Sequence, residues 1–142
     1  MITGLLFVTP LYAALLALWF VLLSVYVTVH RQKKTIYFGD KGDEQMLRVI
    51  RGQANFAEYV PLALLLMLFL EMSHFSIYLL HALGITLLIS RLLHGYALSF
   101  TPGFVAGRVA GALLTWAVLV IEALLCLYQG WHGHWFWLTS SL

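Results

Sequence analysis

A group of charged and amide side chains stands at the start of the second apolar segment of the chain. Its members recur at intervals of three and four residues, so a helix places them on one face, while Gln53 points nearly the opposite way. The residues that share this face are Arg48, Arg51, Asn55, Glu58 and Tyr59. Charges at the mouth of a membrane-length helix are costly unless they are paired or used. The segment is therefore a candidate binding site.

The residue types in this group indicate which kind of ligand they suit. Guanidinium groups hold carboxylates through paired hydrogen bonds. Asn55 and Gln53 can serve peptide amides, and Glu58 can accept from a ligand ammonium group. Together they favour a small zwitterionic ligand such as a peptide. The residues alone leave one alternative open, in which Arg51, Asn55 and Glu58 only clamp neighbouring helices together.

The composition places this group in a membrane protein. Of 142 residues, 62% are hydrophobic and 10% are charged, whereas soluble domains carry roughly 25% charged residues. Four uncharged stretches reach about 20 residues, the length that crosses a bilayer. We therefore predict an all-α integral membrane protein, a four-transmembrane-helix bundle. The net charge of +2 is too small to suggest nucleic acid, and the single cysteine, Cys126, cannot form an intrachain disulfide.

The apolar pattern predicts one domain, residues 1–142, with helices at about 5–29, 43–72, 77–98 and 102–128 and a hydrophilic loop at 30–42. Thr101 and Pro102 are typical of a helix start and predict where the fourth helix begins. Pro61 predicts a local kink in the second helix. The aromatic residues in the tail 131–137 are typical of an interfacial anchor. Two histidines in that tail are too weak a pattern to predict a metal site.

The positive charges predict the orientation and a ligand of opposite sign. All eight Lys and Arg residues fall on the side of the first and third loops, so we expect that side to be cytoplasmic and both termini to lie opposite. The absence of a cleavable signal and of an obvious retention motif favours a bacterial inner membrane. The four-span topology brings several polar groups to the expected cytoplasmic side: Arg31, the polar face of the second segment, Arg91 with His94, and Arg108. Such a positive excess favours an anion. Glu122, farther along the fourth segment, is interpreted as structural.

The pattern Arg51-x-x-x-Asn55-x-x-Glu58-Tyr59 resembles the signature of the MAPEG family, the membrane-associated proteins in eicosanoid and glutathione metabolism. The resemblance implies a four-helix protomer in a homotrimer, with glutathione bound between subunits. It implies glutathione contacts from Arg51, Asn55, Glu58 and Tyr59 of one subunit and from Arg31 and Gln53 of the next. His94 and Tyr96 are further candidate contacts. Arg108, the only arginine near the start of the fourth helix, matches the arginine that activates the thiol in the family.

The resemblance also implies an activity. It is that of a membrane-bound glutathione transferase, with peroxidase activity as a variant, in which the glutathione thiolate attacks a hydrophobic electrophile or lipid hydroperoxide that arrives from the bilayer. Ala54, Leu93 and Leu98 stand where some family enzymes have an arginine or a tyrosine, which affects the choice of lipid substrate. Two other functions stay open. One is a non-catalytic relative that binds lipids or partner proteins, and the other is a four-span multidrug exporter, which the lack of an acid in the first segment disfavours.

Overall fold

Four long α-helices make up the protein. The computed structural model describes residues 6–140, with side chains described for residues 6–134. The helices are α1 (Val8–Lys34), α2 (Glu44–Met72), α3 (Ile77–Ser99) and α4 (Val105–Ser140). All four are long and apolar enough to cross a membrane. The predicted fold class, an all-α bundle of four membrane-spanning helices, is confirmed.

Helices α2 and α3 form the centre of the bundle. Each of them packs against both α1 and α4, whereas α1 and α4 share no contact within the described part of the chain. The core between the helices is apolar, with Leu16, Met67, Leu70, Leu87 and Val118 almost completely buried. Short connections make consecutive helices antiparallel, so the end of α1, the start of α2, the end of α3 and the start of α4 lie at one end, called here the arginine end.

Helix α1 is longer at its C-terminus than the sequence pattern predicts, because it continues beyond residue 29 to Lys34. Arg31, Lys33 and Lys34 occupy its last turn, where cations interact favourably with the helix dipole. Thr35 then adopts a left-handed conformation, with φ of 54°, and ends the helix. The connection to α2 is therefore shorter than the predicted loop. The predicted start of the first helix, residue 5, lies outside the described residues.

Helix α4 begins later than predicted, at Val105. A turn at Thr101, Pro102 and Gly103 precedes it. The Thr101 hydroxyl donates, at 3.4 Å, to the carbonyl oxygen of Tyr96, a residue of α3. Thr101 therefore closes α3 and does not cap α4. At its other end α4 continues past residue 128 through the aromatic tail. The side chains of Trp135, Phe136 and Trp137 lie outside the described residues, and the interfacial anchor stays a prediction.

Asp43 connects α1 to α2 at the arginine end. Its carboxylate accepts from the backbone N–H of Met46 at 2.7 Å, which caps α2, and it pairs with the Lys34 ammonium at 2.6 Å. The hydrogen bond from Lys34, followed by that from Met46, lowers the pKa of Asp43 below its ordinary value. These two contacts hold the start of α2 against the end of α1. Helix α2 then runs without interruption through Pro61 to Met72.

Glu71 connects the same two helices at the opposite end of the bundle. Its carboxylate accepts from the backbone N–H groups of Phe7, Val8 and Thr9 at 2.7, 2.8 and 2.7 Å. The residue before α1 offers no side-chain cap of its own, so an acid from α2 satisfies the unpaired N–H groups at the start of α1. This contact complements the positive end of the helix dipole.

We expect Glu71→Ala to lower the free energy of unfolding by about 1–2 kcal/mol, the cost of losing a helix cap. Thermal unfolding in detergent, followed by intrinsic fluorescence, measures the change. Glu44→Ala is the matched control, because Glu44 is an exposed acid in the first turn of α2, and it should cost less. Equal midpoints for Glu71→Ala and the unchanged protein would contradict the capping role.

Candidate functional site

A buried arginine, Arg91 of α3, lies at the centre of the polar groups at the arginine end. Only 2% of its surface is exposed. Its Nη1 donates to Asn55 Oδ1 of α2 at 3.0 Å, and its Nη2 donates to the carbonyl oxygen of Gly111 in α4 at 3.2 Å. The guanidinium carbon lies 5.9 Å from the centre of the Tyr59 ring, within cation–π range. One side chain thus joins three helices.

The positive charge of Arg91 is held by neutral groups. The ion pairs found in the described part of the chain are Lys34 with Asp43 and Arg51 with Glu58, so Arg91 has no carboxylate partner there. Its Nε is buried without a hydrogen-bond acceptor. A buried charge without a counter-charge is costly. The site therefore carries an uncompensated positive charge beneath Asn55 and Tyr59, and that charge favours an anionic ligand.

Arg51 and Glu58 form an ion pair on the outer part of the same α2 face. Arg51 Nη1 donates to Glu58 Oε1 at 3.3 Å, and the two side chains are 52% and 48% exposed. Exposed pairs of this kind contribute only about 0.2–1 kcal/mol. A ligand that carries both a carboxylate and an ammonium group can therefore replace each partner with little loss. The pair displays the two charges that a zwitterion needs.

His94 and Arg108 fix the start of α4 beside this group. His94 is buried, and its Nδ1 lies 2.9 Å from the carbonyl oxygen of Arg108. Because a carbonyl only accepts, this nitrogen is the protonated donor. The Arg108 side chain is exposed, and its guanidinium makes no hydrogen bond or ion pair with the described residues. A cation is therefore available at the first turn of α4.

Three of the candidate residues lie apart from Arg91. Arg31 Nη1 donates to three carbonyl groups of the loop that follows α1, the nearest being Gly39 at 3.1 Å. Gln53 Nε2 donates to Ser24 Oγ of α1 at 2.9 Å, on the other side of α2 from Asn55. Tyr96 stacks on Phe100, with ring centres 5.7 Å apart. None of the three is hydrogen-bonded to Arg91.

The central place of Arg91 is not apparent from the sequence pattern, which only groups it with the other polar residues of the arginine end. The available signal was an arginine inside an apolar segment, three residues before His94 and hence on the same helix face. Such a residue pairs inside the bundle in most membrane proteins, but its partners Asn55 and Gly111 belong to other helices.

Two cavities in the described part of the chain lie away from this group. One of about 460 Å³ lies at the end of the bundle opposite to Arg91, and its lining includes no charged side chain. Phe20, Phe56, Ala57 and Pro61 line another, of about 110 Å³, between α1 and α2. Glu122 is completely buried in α4, and neither of its carboxylate oxygens has a hydrogen-bond partner. Within the residues that were described, no cluster of three or more metal-ligating side chains occurs.

The fold and the site define a class of protein, a small four-span helical membrane protein with an arginine-centred polar site at one end. The sequence matches the MAPEG family over residues 9–128. This chain belongs to the MAPEG family, and the family expected from the α2 motif is confirmed.

Named relatives of the chain come from Escherichia coli. The chain is 36% identical over 125 residues to the "Inner membrane protein YecN" of strain K12, which covers 87% of this chain and 94% of that protein. The protein of the same name from strain CFT073 shows the same identity and coverage. No solved structure shows significant similarity to the chain.

Proposed function

We propose that this protein binds glutathione and activates its thiol for attack on lipophilic electrophiles, as a membrane glutathione transferase that can also reduce lipid hydroperoxides. The observation that carries the proposal is the arrangement on one face of α2, where the Arg51–Glu58 pair lies beside Asn55 and Tyr59 above the buried charge of Arg91. Membership of a family named for glutathione metabolism supports it.

The binding role follows from the charges of the ligand. Glutathione has two carboxylates, one ammonium group and two peptide bonds. Arg51 matches a carboxylate through paired hydrogen bonds, and Glu58 matches the ammonium group. Asn55 and Tyr59 supply neutral hydrogen bonds. The uncompensated charge of Arg91 favours the net negative charge of the ligand.

The chemical role falls to Arg108. The thiolate, and not the thiol, is the nucleophile. A guanidinium within hydrogen-bond reach of the sulfur stabilises the thiolate, and lowering a thiol pKa by about two units requires about 2.7 kcal/mol. Arg108 is exposed, and its guanidinium makes no hydrogen bond with the described part of the chain. The hydrophobic electrophile would reach it from the bilayer along the apolar helix surfaces.

The proposed assembly is a homotrimer with the glutathione sites between subunits. Outward faces of α1 and α4 expose large apolar side chains such as Leu18, Leu22, Val120 and Leu124, which suits both lipid and a neighbouring subunit. The Arg31 side chain bonds to the loop after α1 and the Gln53 side chain to Ser24 of α1, and both would serve the site of the adjacent subunit. We propose a location in the bacterial inner membrane, because the named relatives are called inner membrane proteins. The arginine end would face the cytoplasm.

Calorimetry with the purified protein in detergent tests the binding role. We expect Arg51→Ala and Glu58→Ala each to weaken glutathione binding at least tenfold, because each removes a charged hydrogen bond, worth about 1.5–3 kcal/mol. Lys33→Ala is the matched control, since Lys33 is an exposed cation in the last turn of α1, and it should leave the affinity unchanged. Unaltered binding in both site variants would remove this assignment. Binding without any conjugate formation would favour the non-catalytic alternative.

A further inference from the structure

The side-chain oxygen of Asn55 accepts from Arg91, and Asn55 shares its face of α2 with Arg51 and Glu58. We infer that Arg91 is a positioning residue that holds the Asn55 oxygen inward and so leaves the Asn55 NH₂ group as a donor for the ligand. The inference rests on the proposed function and adds a rule of specificity to it: the part of the ligand that meets Asn55 has to be a hydrogen-bond acceptor.

The polarity of the contact follows from the chemistry of the two side chains. A guanidinium group has only donors, whereas an amide has an acceptor oxygen and a donor nitrogen. With Arg91 Nη1 at 3.0 Å from Asn55 Oδ1, turning the amide over would set NH₂ against N–H. The flipped amide would lose a charge-assisted hydrogen bond in a partly buried place and gain a repulsion. The outward position of the NH₂ group is therefore fixed.

Arg91 itself cannot easily turn to follow a flipped amide. Its second terminal nitrogen donates to Gly111 of α4 at 3.2 Å. Its backbone carbonyl accepts from Trp19 Nε1 of α1 at 3.2 Å. The Tyr59 ring lies over the guanidinium. Contacts from α2 and α4 thus set the direction of the guanidinium, and the Trp19 contact from α1 holds the Arg91 backbone.

Two substitutions of Asn55 separate the inward contact from the outward one. Asn55→Asp keeps an inward acceptor for Arg91 and loses the outward donor, whereas Asn55→Leu loses both. We expect both variants to weaken glutathione binding at least tenfold in calorimetry. We expect only Asn55→Leu to lower the midpoint of thermal unfolding, because only this variant leaves Arg91 Nη1 without an acceptor. Affinity thus follows the outward donor, and stability follows the inward acceptor.

Substitutions of Arg91 test the positioning role directly. Arg91→Met releases the amide of Asn55, and we expect glutathione binding to weaken about tenfold. Arg91→Lys keeps the charge and one donor towards Asn55 Oδ1, so it should recover most of that affinity, and the midpoints of thermal unfolding of both variants separate this recovery from a change in bundle stability. Selective labelling of asparagine side chains with ¹⁵N adds a second readout, because the Asn55 NH₂ signal should shift when glutathione is added.

The outcomes of these experiments are distinguishable. If the unchanged protein does not bind glutathione, the proposed function fails, and this inference fails with it. If the unchanged protein binds and Asn55→Asp binds equally well, the inference is overturned while the proposed function stands. The inference is also overturned if Arg91→Met and Arg91→Lys lose the same affinity, because Arg91 would then act only through the stability of the bundle.

Discussion

Arg108→Ala is expected to lower the turnover of glutathione conjugation about 100-fold, the lower end of the range for removing one preorganised group that stabilises a developing or reacting anion. Arg108 lies in the first turn of α4, and its exposed guanidinium makes no hydrogen bond or ion pair with the described residues. Its charge is therefore available for the sulfur of a bound glutathione. Because Arg51 and Glu58 remain to hold a carboxylate and the ammonium group of the ligand, glutathione affinity should change by only a few-fold.

Two measurements separate activation of the thiol from binding. Conjugation to 1-chloro-2,4-dinitrobenzene gives the turnover, and the absorbance of the thiolate at ~240 nm gives the ionised fraction of bound glutathione. Arg108→Lys serves as the comparison, because it keeps a cation but not the planar guanidinium, and it should retain part of the activity. Full turnover in Arg108→Ala, with an undiminished thiolate signal, would remove Arg108 from the mechanism.

The α2 face was predictable from the sequence because its determinants are local. Residues at intervals of three and four share a helix face whatever the rest of the chain does. The Arg51–Glu58 pair and the opposite direction of Gln53 both follow from that rule. The number of helices was predictable for a similar reason, since the length of an apolar stretch is fixed by the thickness of the bilayer.

The role of Arg91 was not predictable in the same way. Its acceptors, Asn55 and Gly111, lie 36 and 20 residues away in sequence, and periodicity within one helix does not say which side chains of another helix it meets. Arg31 shows the same limit, because its guanidinium bonds to the carbonyl groups of the loop that follows α1. Helix α4 begins at Val105 and not at the predicted residue 102, because the Thr101 hydroxyl donates to a carbonyl of α3 and does not cap α4.

Close contact between α3 and α4 makes Gly111 the position where a single methyl group should cost the most stability. A Cβ atom built there would lie 2.7 Å from the carbonyl oxygen of Ser90, 2.8 Å from His94 Cβ and 2.9 Å from the backbone nitrogen of His94. Two of these atoms are backbone, so no side-chain rotation relieves the contact. Small residues allow such close approach of helices in lipid, and here it brings the Gly111 carbonyl within reach of Arg91.

We therefore expect Gly111→Ala to lower the free energy of unfolding by about 3 kcal/mol, near the upper end of the usual range for overpacking. Thermal unfolding in detergent measures it. Gly130→Ala is the matched control in the same helix, because no atom lies within 4 Å of a Cβ built at Gly130, and it should gain about 0.5–1 kcal/mol from reduced backbone entropy of the unfolded chain.

Glutathione binding should weaken in Gly111→Ala alone, since moving α4 away from α3 takes an acceptor from Arg91 and loosens its hold on Asn55. A variant Gly111→Ala as stable as the unchanged protein would mean that α3 and α4 are not held this closely, and the geometry assigned to Arg91 would then lose its support.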